Sequence, residues 1–145
     1  ICHETAHVLN SECGATSMLG GGAVMRGVGG GDFRIAADEL ETFLDSVWWG
    51  DPHHSQPAVL SLTQPTDRGT AYSLADVEAL TAIARARSMR VHIDGARIAN
   101  ALAALGCSPA ELTWRAGVDV LSLGATKNGA LSAEAIVAFD DAAAH

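Results

Sequence analysis

Among the 145 residues of this chain there is a single lysine, Lys127; every other basic residue is arginine. Positive charge is scarce overall, with nine basic residues against seventeen acidic ones, a formal net charge of −8 and an isoelectric point near 5.0. That balance argues against a nucleic-acid partner, whose phosphates require clustered cations. Only Arg85, Arg87 and Arg90 cluster, at a spacing expected for the C-terminal end of a helix whose dipole they complement. No run approaches the ~18 uninterrupted apolar residues of a membrane-spanning helix, so no membrane partner is expected. Cys2, Cys13 and Cys107 are odd in number and contain no C-x-x-C pair. They are expected to be reduced, small buried residues in a cytoplasmic setting rather than a disulfide framework.

The hydrophobic fraction of 48% and the length suit one domain with a real core. A helix is expected over residues 5–19, ending at Gly20-Gly21-Gly22, and a short strand over 23–28. Apolar Leu40, Phe43, Leu44 and Val47 recur at the helical period, so residues 38–47 read as an amphipathic helix. Further strands are expected over 58–62, 89–93, 118–123 and 135–139. Helices are expected from Ser73, over 96–105 and from Ser108-Pro109. Strands and helices thus alternate at βαβ spacing, and the strands are short apolar runs. The fold class is α/β, a mainly parallel sheet with helices on both faces. In such sheets ligands sit beyond the C-terminal ends of the strands. Asp94 lies at one such end, and Lys127 just beyond another.

Two motifs compete for the chemistry. Residues 3–7, HETAH, match the zinc-protease pattern H-E-x-x-H. That chemistry needs His3 and His7 one turn apart on a helix, with Glu4 as base and a third ligand downstream. Only two residues precede His3, and VLNSEC stands where the longer zinc motif would continue. His53-His54, inside WWGDPHHSQP, reads as a solvated loop pair. The other motif is Lys127 in LSLGATKNGA. A primary amine can lose its proton and attack a carbonyl to form a Schiff base, which guanidinium cannot.

VHIDGAR (91–97), followed some thirty residues later by GATKNG, resembles the threonine aldolases of low specificity. These are β-eliminating lyases of the pyridoxal-phosphate-dependent, aspartate-aminotransferase-like fold. The resemblance runs from about Ile1 to Phe139, nearly the whole chain, and implies that 1–145 is a partial cofactor-binding large domain of a longer chain. The phosphate-gripping Gly-Thr loop would then precede Ile1, and a small C-terminal domain would follow His145.

The resemblance assigns Lys127 to holding pyridoxal 5'-phosphate and Asp94 to its pyridine nitrogen. It assigns Arg97 to the substrate carboxylate, with a structural ion pair as the alternative. The family's Ala-His pair, with Glu five residues beyond, matches Ala6-His7 and Glu12. His7 would stack on the cofactor ring and assist proton transfer. Glu12 would support His7 or cap local backbone. Some members carry a second histidine where this chain has SLTQPTDRGTAYS (61–73). There is none here, and Gln64 is a candidate for the cofactor's 3-hydroxyl side. The implied reaction is aldol cleavage of a β-hydroxy-α-amino acid such as threonine or allo-threonine to glycine and acetaldehyde. The alternatives are racemisation or β-elimination on the same scaffold, and a non-catalytic fragment. The implied assembly is a homodimer or homotetramer when full length.

Overall fold

Leucine and β-branched side chains suit a pleated, half-buried surface, and here they recur in the β-strands Val59–Thr63, Arg90–Gly95, Val120–Gly124 and Glu134–Ala138. The computed structural model describes residues 1–143. Its strands are β1 (Cys2–His3), β2 (Gly27–Val28), β3 (Val59–Thr63), β4 (Arg90–Gly95), β5 (Val120–Gly124) and β6 (Glu134–Ala138). β3, β4 and β5 lie side by side and parallel, while β6 runs antiparallel to β5. β1 pairs in parallel with β2. Ile1 joins that pair to β3: its amino group donates to the Val59 carbonyl at 2.7 Å, and Ser61 N–H donates to the Ile1 carbonyl at 2.8 Å. The spatial order is therefore β2-β1-β3-β4-β5-β6. Reversal of β6 has a simple cause. A parallel return needs a crossover of a dozen or more residues, and only residues 125–133 separate β5 from β6.

The helices are α1 (His7–Asn10), α2 (Ala15–Leu19), α3 (Ala37–Asp45), α4 (Leu74–Ala86), α5 (Ile98–Leu105) and α6 (Pro109–Leu112). The single helix expected over 5–19 is instead α1 and α2. Cys13 and Gly14 between them adopt positive φ values of 50° and 75°, a left-handed turn that no α-helix accommodates. The strand expected over 23–28 shrinks to two residues. Ser73 caps α4 as its position suggests: its hydroxyl accepts from Asp76 N–H, and Asp76 accepts from Ser73 N–H. α5 closes at Gly106, which sits in the left-handed region.

Side chains from Leu60, Leu62, Val91, Ile93 and Leu121 form one face of the sheet and pack with Val77, Leu80 and Ala84 of α4 in the core. The arginines expected at a helix end divide their work. Arg85 lies in the last turn of α4, Arg87 pairs with Asp45 at 2.8 Å, and Arg90 belongs to β4. Nor are all three cysteines buried: Cys2 is buried and Cys107 half-buried, but Cys13 is exposed, and all are free thiols. Its left-handed turn leaves Cys13 outside any packed helix face.

Asp119 holds the N-terminal edge of the sheet together. It is buried, accepts from Val91 N–H at 2.7 Å and from Arg90 at 2.9 Å, while its own backbone bonds Val91 and Phe139. Asp119→Ala strands a buried N–H and should lower unfolding stability by about 2–3 kcal/mol, whereas Asp119→Asn, which keeps an acceptor, should cost less than half as much. Urea denaturation midpoints check this; equal losses in the two variants would show that the bond accepted from Val91 N–H is not what Asp119 contributes.

Candidate active site

Parallel pairing delivers the loops that follow the strands to one edge of the sheet. His7 follows β1, residues 64–73 follow β3, Asp94 and Arg97 lie at and just beyond the end of β4, and Lys127 follows β5. Asp94 stands in register with Thr63 of β3 and Ser122 of β5. Its Oδ1 accepts from Ala96 N–H at 3.1 Å, and the carboxylate is half-buried.

Lys127 sits in a 3₁₀ turn, Thr126–Asn128, that is fastened to β4 rather than to its own strand alone. The Asn128 side-chain amide donates to the Gly124 carbonyl and, at 3.2 Å, to the Ala96 carbonyl. Gly124 permits this closeness, because a Cβ there would lie 2.9 Å from Ala96 Cα. The lysine side chain itself is exposed and forms no hydrogen bond or ion pair among the described residues. Most of the arginines, by contrast, are committed to carboxylates.

Arg97 leads into α5 and reaches back to Asp67 in the loop after β3, at 2.8 Å. His7 opens α1 and bonds Glu12 through Nδ1 at 2.8 Å. The ends of three strands, β1, β4 and β5, thus present an imidazole, a carboxylate, a guanidinium and an amine along one edge.

Other sequence candidates go elsewhere. His3 lies in β1, not on a helix with His7. Its Nδ1 meets the Thr5 hydroxyl at 2.8 Å and its Nε2 faces the Gly30 carbonyl at 3.4 Å. The pair cannot form the one-turn clamp that the zinc motif needs. Gln64 is not free for any ligand, since it is fully buried and both ends of its amide are bonded to the Tyr72 backbone. It is a structural bracket, and the cofactor contact expected of it is withdrawn. His54 pairs with Asp51 and packs its ring on Trp48.

Sequence reasoning missed His92. It lies two residues before Asp94 on the same face of β4 and is half-buried. Its Nδ1 meets Ser61 Oγ at 2.8 Å and its Nε2 meets Ser122 Oγ at 2.9 Å. Burial pushes the imidazole below its usual range, and the nearby Asp94 carboxylate partly opposes that. A histidine inside an otherwise apolar strand run was the available signal.

A cofactor held through an aldehyde needs an uncommitted primary amine, and a protonated ring nitrogen needs a carboxylate nearby. An unpaired Lys127 and a half-buried Asp94 on neighbouring strand ends fit those requirements. The family model for β-eliminating lyases matches residues 1–145. The chain belongs to that family. It is 41% identical, over 97% of its length, to the low specificity L-threonine aldolase of Pseudomonas sp. (strain NCIMB 10558) and likewise to that of Pseudomonas aeruginosa. The chain spans about 40% of the length of these relatives. The solved threonine aldolase of Leishmania major superimposes with a TM-score of 0.82 at 24% identity, over 98% of this chain and 40% of that one, which is a likeness of fold.

Because Lys127 is the only lysine, a lysine-specific protease reports directly on its loop. Asn128→Ala removes two hydrogen bonds and should raise the rate of cleavage after Lys127 about tenfold while changing global stability little. A rate equal to that of the parent would show that Asn128 does not hold the turn.

Proposed function

We propose that this chain supplies the cofactor-holding part of a pyridoxal-phosphate-dependent carbon–carbon lyase. Its substrate is a β-hydroxy-α-amino acid, threonine or allo-threonine, and its products are glycine and acetaldehyde. The observation that carries the reading is the unpaired lone amine of Lys127, fastened through Asn128 to the end of the strand that bears Asp94. Membership of the β-eliminating lyase family and identity to named threonine aldolases over nearly the whole chain support it.

When bound, pyridoxal phosphate supplies the electron sink for breaking a bond at the amino-acid Cα. The protein's part lies in holding, orienting and moving protons. Lys127 would supply the amine that holds the cofactor aldehyde. Asp94 would hold a proton on the ring nitrogen by accepting a hydrogen bond from it. His7, whose Nδ1 is tied to Glu12 at 2.8 Å, would use its Nε2 to take the β-hydroxyl proton. Arg97 offers the remaining donors of its guanidinium fork to the substrate carboxylate, one nitrogen already resting on Asp67. The long chain acts as a homodimer or homotetramer in the cytoplasm.

In the full-length enzyme, Lys127→Ala should abolish the visible absorbance of lysine-bound cofactor and lower threonine cleavage by about 1000-fold or more. Asp94→Asn should keep that absorbance but lower kcat by about 100-fold. Chromatography of the products checks the reaction itself. Stereochemical scrambling of threonine without glycine would reject the lyase in favour of a racemase.

A further inference from the structure

His92 has no role in the mechanism above, yet both of its ring nitrogens are engaged across the sheet. Three parallel strands contribute to its setting: Ser61 from β3, the ring from β4 and Ser122 from β5. Ser122 is also the register partner of Asp94, and it lies five residues before Lys127. A neutral imidazole satisfies both hydroxyls, donating through one nitrogen and accepting through the other. Adding a proton forces both hydroxyls to accept and places a cation in a half-buried site, next to a carboxylate that has another partner to serve.

We propose that His92 is a positioning residue for Asp94: pinned uncharged between Ser61 and Ser122, it leaves the Asp94 carboxylate undivided for a cationic ring nitrogen bound at the strand ends, and a proton on His92 competes with that cation. The inference rests on the reading of Asp94 as the partner of the cofactor ring. The depressed basicity of His92 fits it, since burial outweighs the attraction of Asp94.

Few other charges bear on the site. On β4 itself, Arg90 precedes His92 on the same face and is committed to Asp119 and Asp140. β3 and β5 offer no charged group on this face, only the hydroxyls of Ser61, Thr63 and Ser122. His92 and Ser61 also line a cavity of about 850 Å³, whose remaining charged or titratable groups are the Ile1 amino group, Arg26 and His54. His54 is engaged with Asp51.

Two cations about 10 Å apart in a partly buried setting disfavour each other by roughly tenfold in equilibrium constant. Linkage makes the effect reciprocal, so cofactor binding must suppress His92 protonation as strongly as protonation suppresses binding. In the full-length enzyme, the dissociation constant for pyridoxal phosphate should therefore rise about two- to fivefold more in the parent than in His92→Asn between about pH 8 and about pH 5.5, where an imidazole of lowered basicity is only partly protonated. Carbon-13 labelling of the histidine rings, with the His92 signal assigned by its loss in the variant, should show the His92 titration midpoint falling by about one pH unit on cofactor loading.

Parallel pH curves in parent and variant, or a midpoint that loading leaves unmoved, would overturn the proposal while leaving the lyase reading intact. Failure of the parent to take up pyridoxal phosphate at any pH would overturn both. Should His92→Asn not fold, the midpoint in the parent decides alone, with its ring signal assigned through Ser61→Ala.

Discussion

Pairing of β4 with β5 is the constraint on which the rest depends. One register, with Asp94 opposite Ser122, determines which loops become neighbours. At the N-terminal edge the pairing is secured by Asp119, a buried carboxylate that bonds across to Val91 and Arg90. At the other edge it continues beyond the strands through Asn128 and the close approach of Gly124 to Ala96. A slip of one residue would turn Asp94 toward the opposite face of the sheet, because side chains alternate with period two. The amine and the carboxylate then could not serve the same ligand.

The sheet has two chemically different faces. One carries Leu60, Leu62, Val91, Ile93 and Leu121 into the core. The other carries Ser61, Thr63, His92, Asp94 and Ser122, the registered polar positions of three adjacent strands. Polar groups in such a place must bond to one another, and His92 does so twice. Stability and chemistry are thus segregated by the pleat: the apolar face supplies burial energy, and the polar face supplies acceptors and donors at the rim.

Arginine and lysine divide in the same way. Arg34, Arg87, Arg90 and Arg97 each meet a carboxylate, consistent with a guanidinium fork that rewards paired oxygens. Lys127 meets none. Asn128, not an ion pair, fixes its backbone, so the turn is held while the amine stays free to react.

Much of this was legible in the chain itself. Contiguous residues encode helical and strand periodicity, the Ser73 cap, the singular amine and the D-G-A-R stretch, because these depend on neighbours a few positions away. What the sequence left open was decided by groups far apart in it. The break at Cys13-Gly14 overrode helical propensity, the short connection after β5 reversed β6, and Tyr72 claimed Gln64 for the scaffold. Likewise, the pinning of His92 by Ser61 and Ser122 joins residues about thirty positions apart in either direction. Sequence determined which reactive groups this protein owns; strand register, a property of backbone hydrogen bonding between distant segments, decided which of them share an edge.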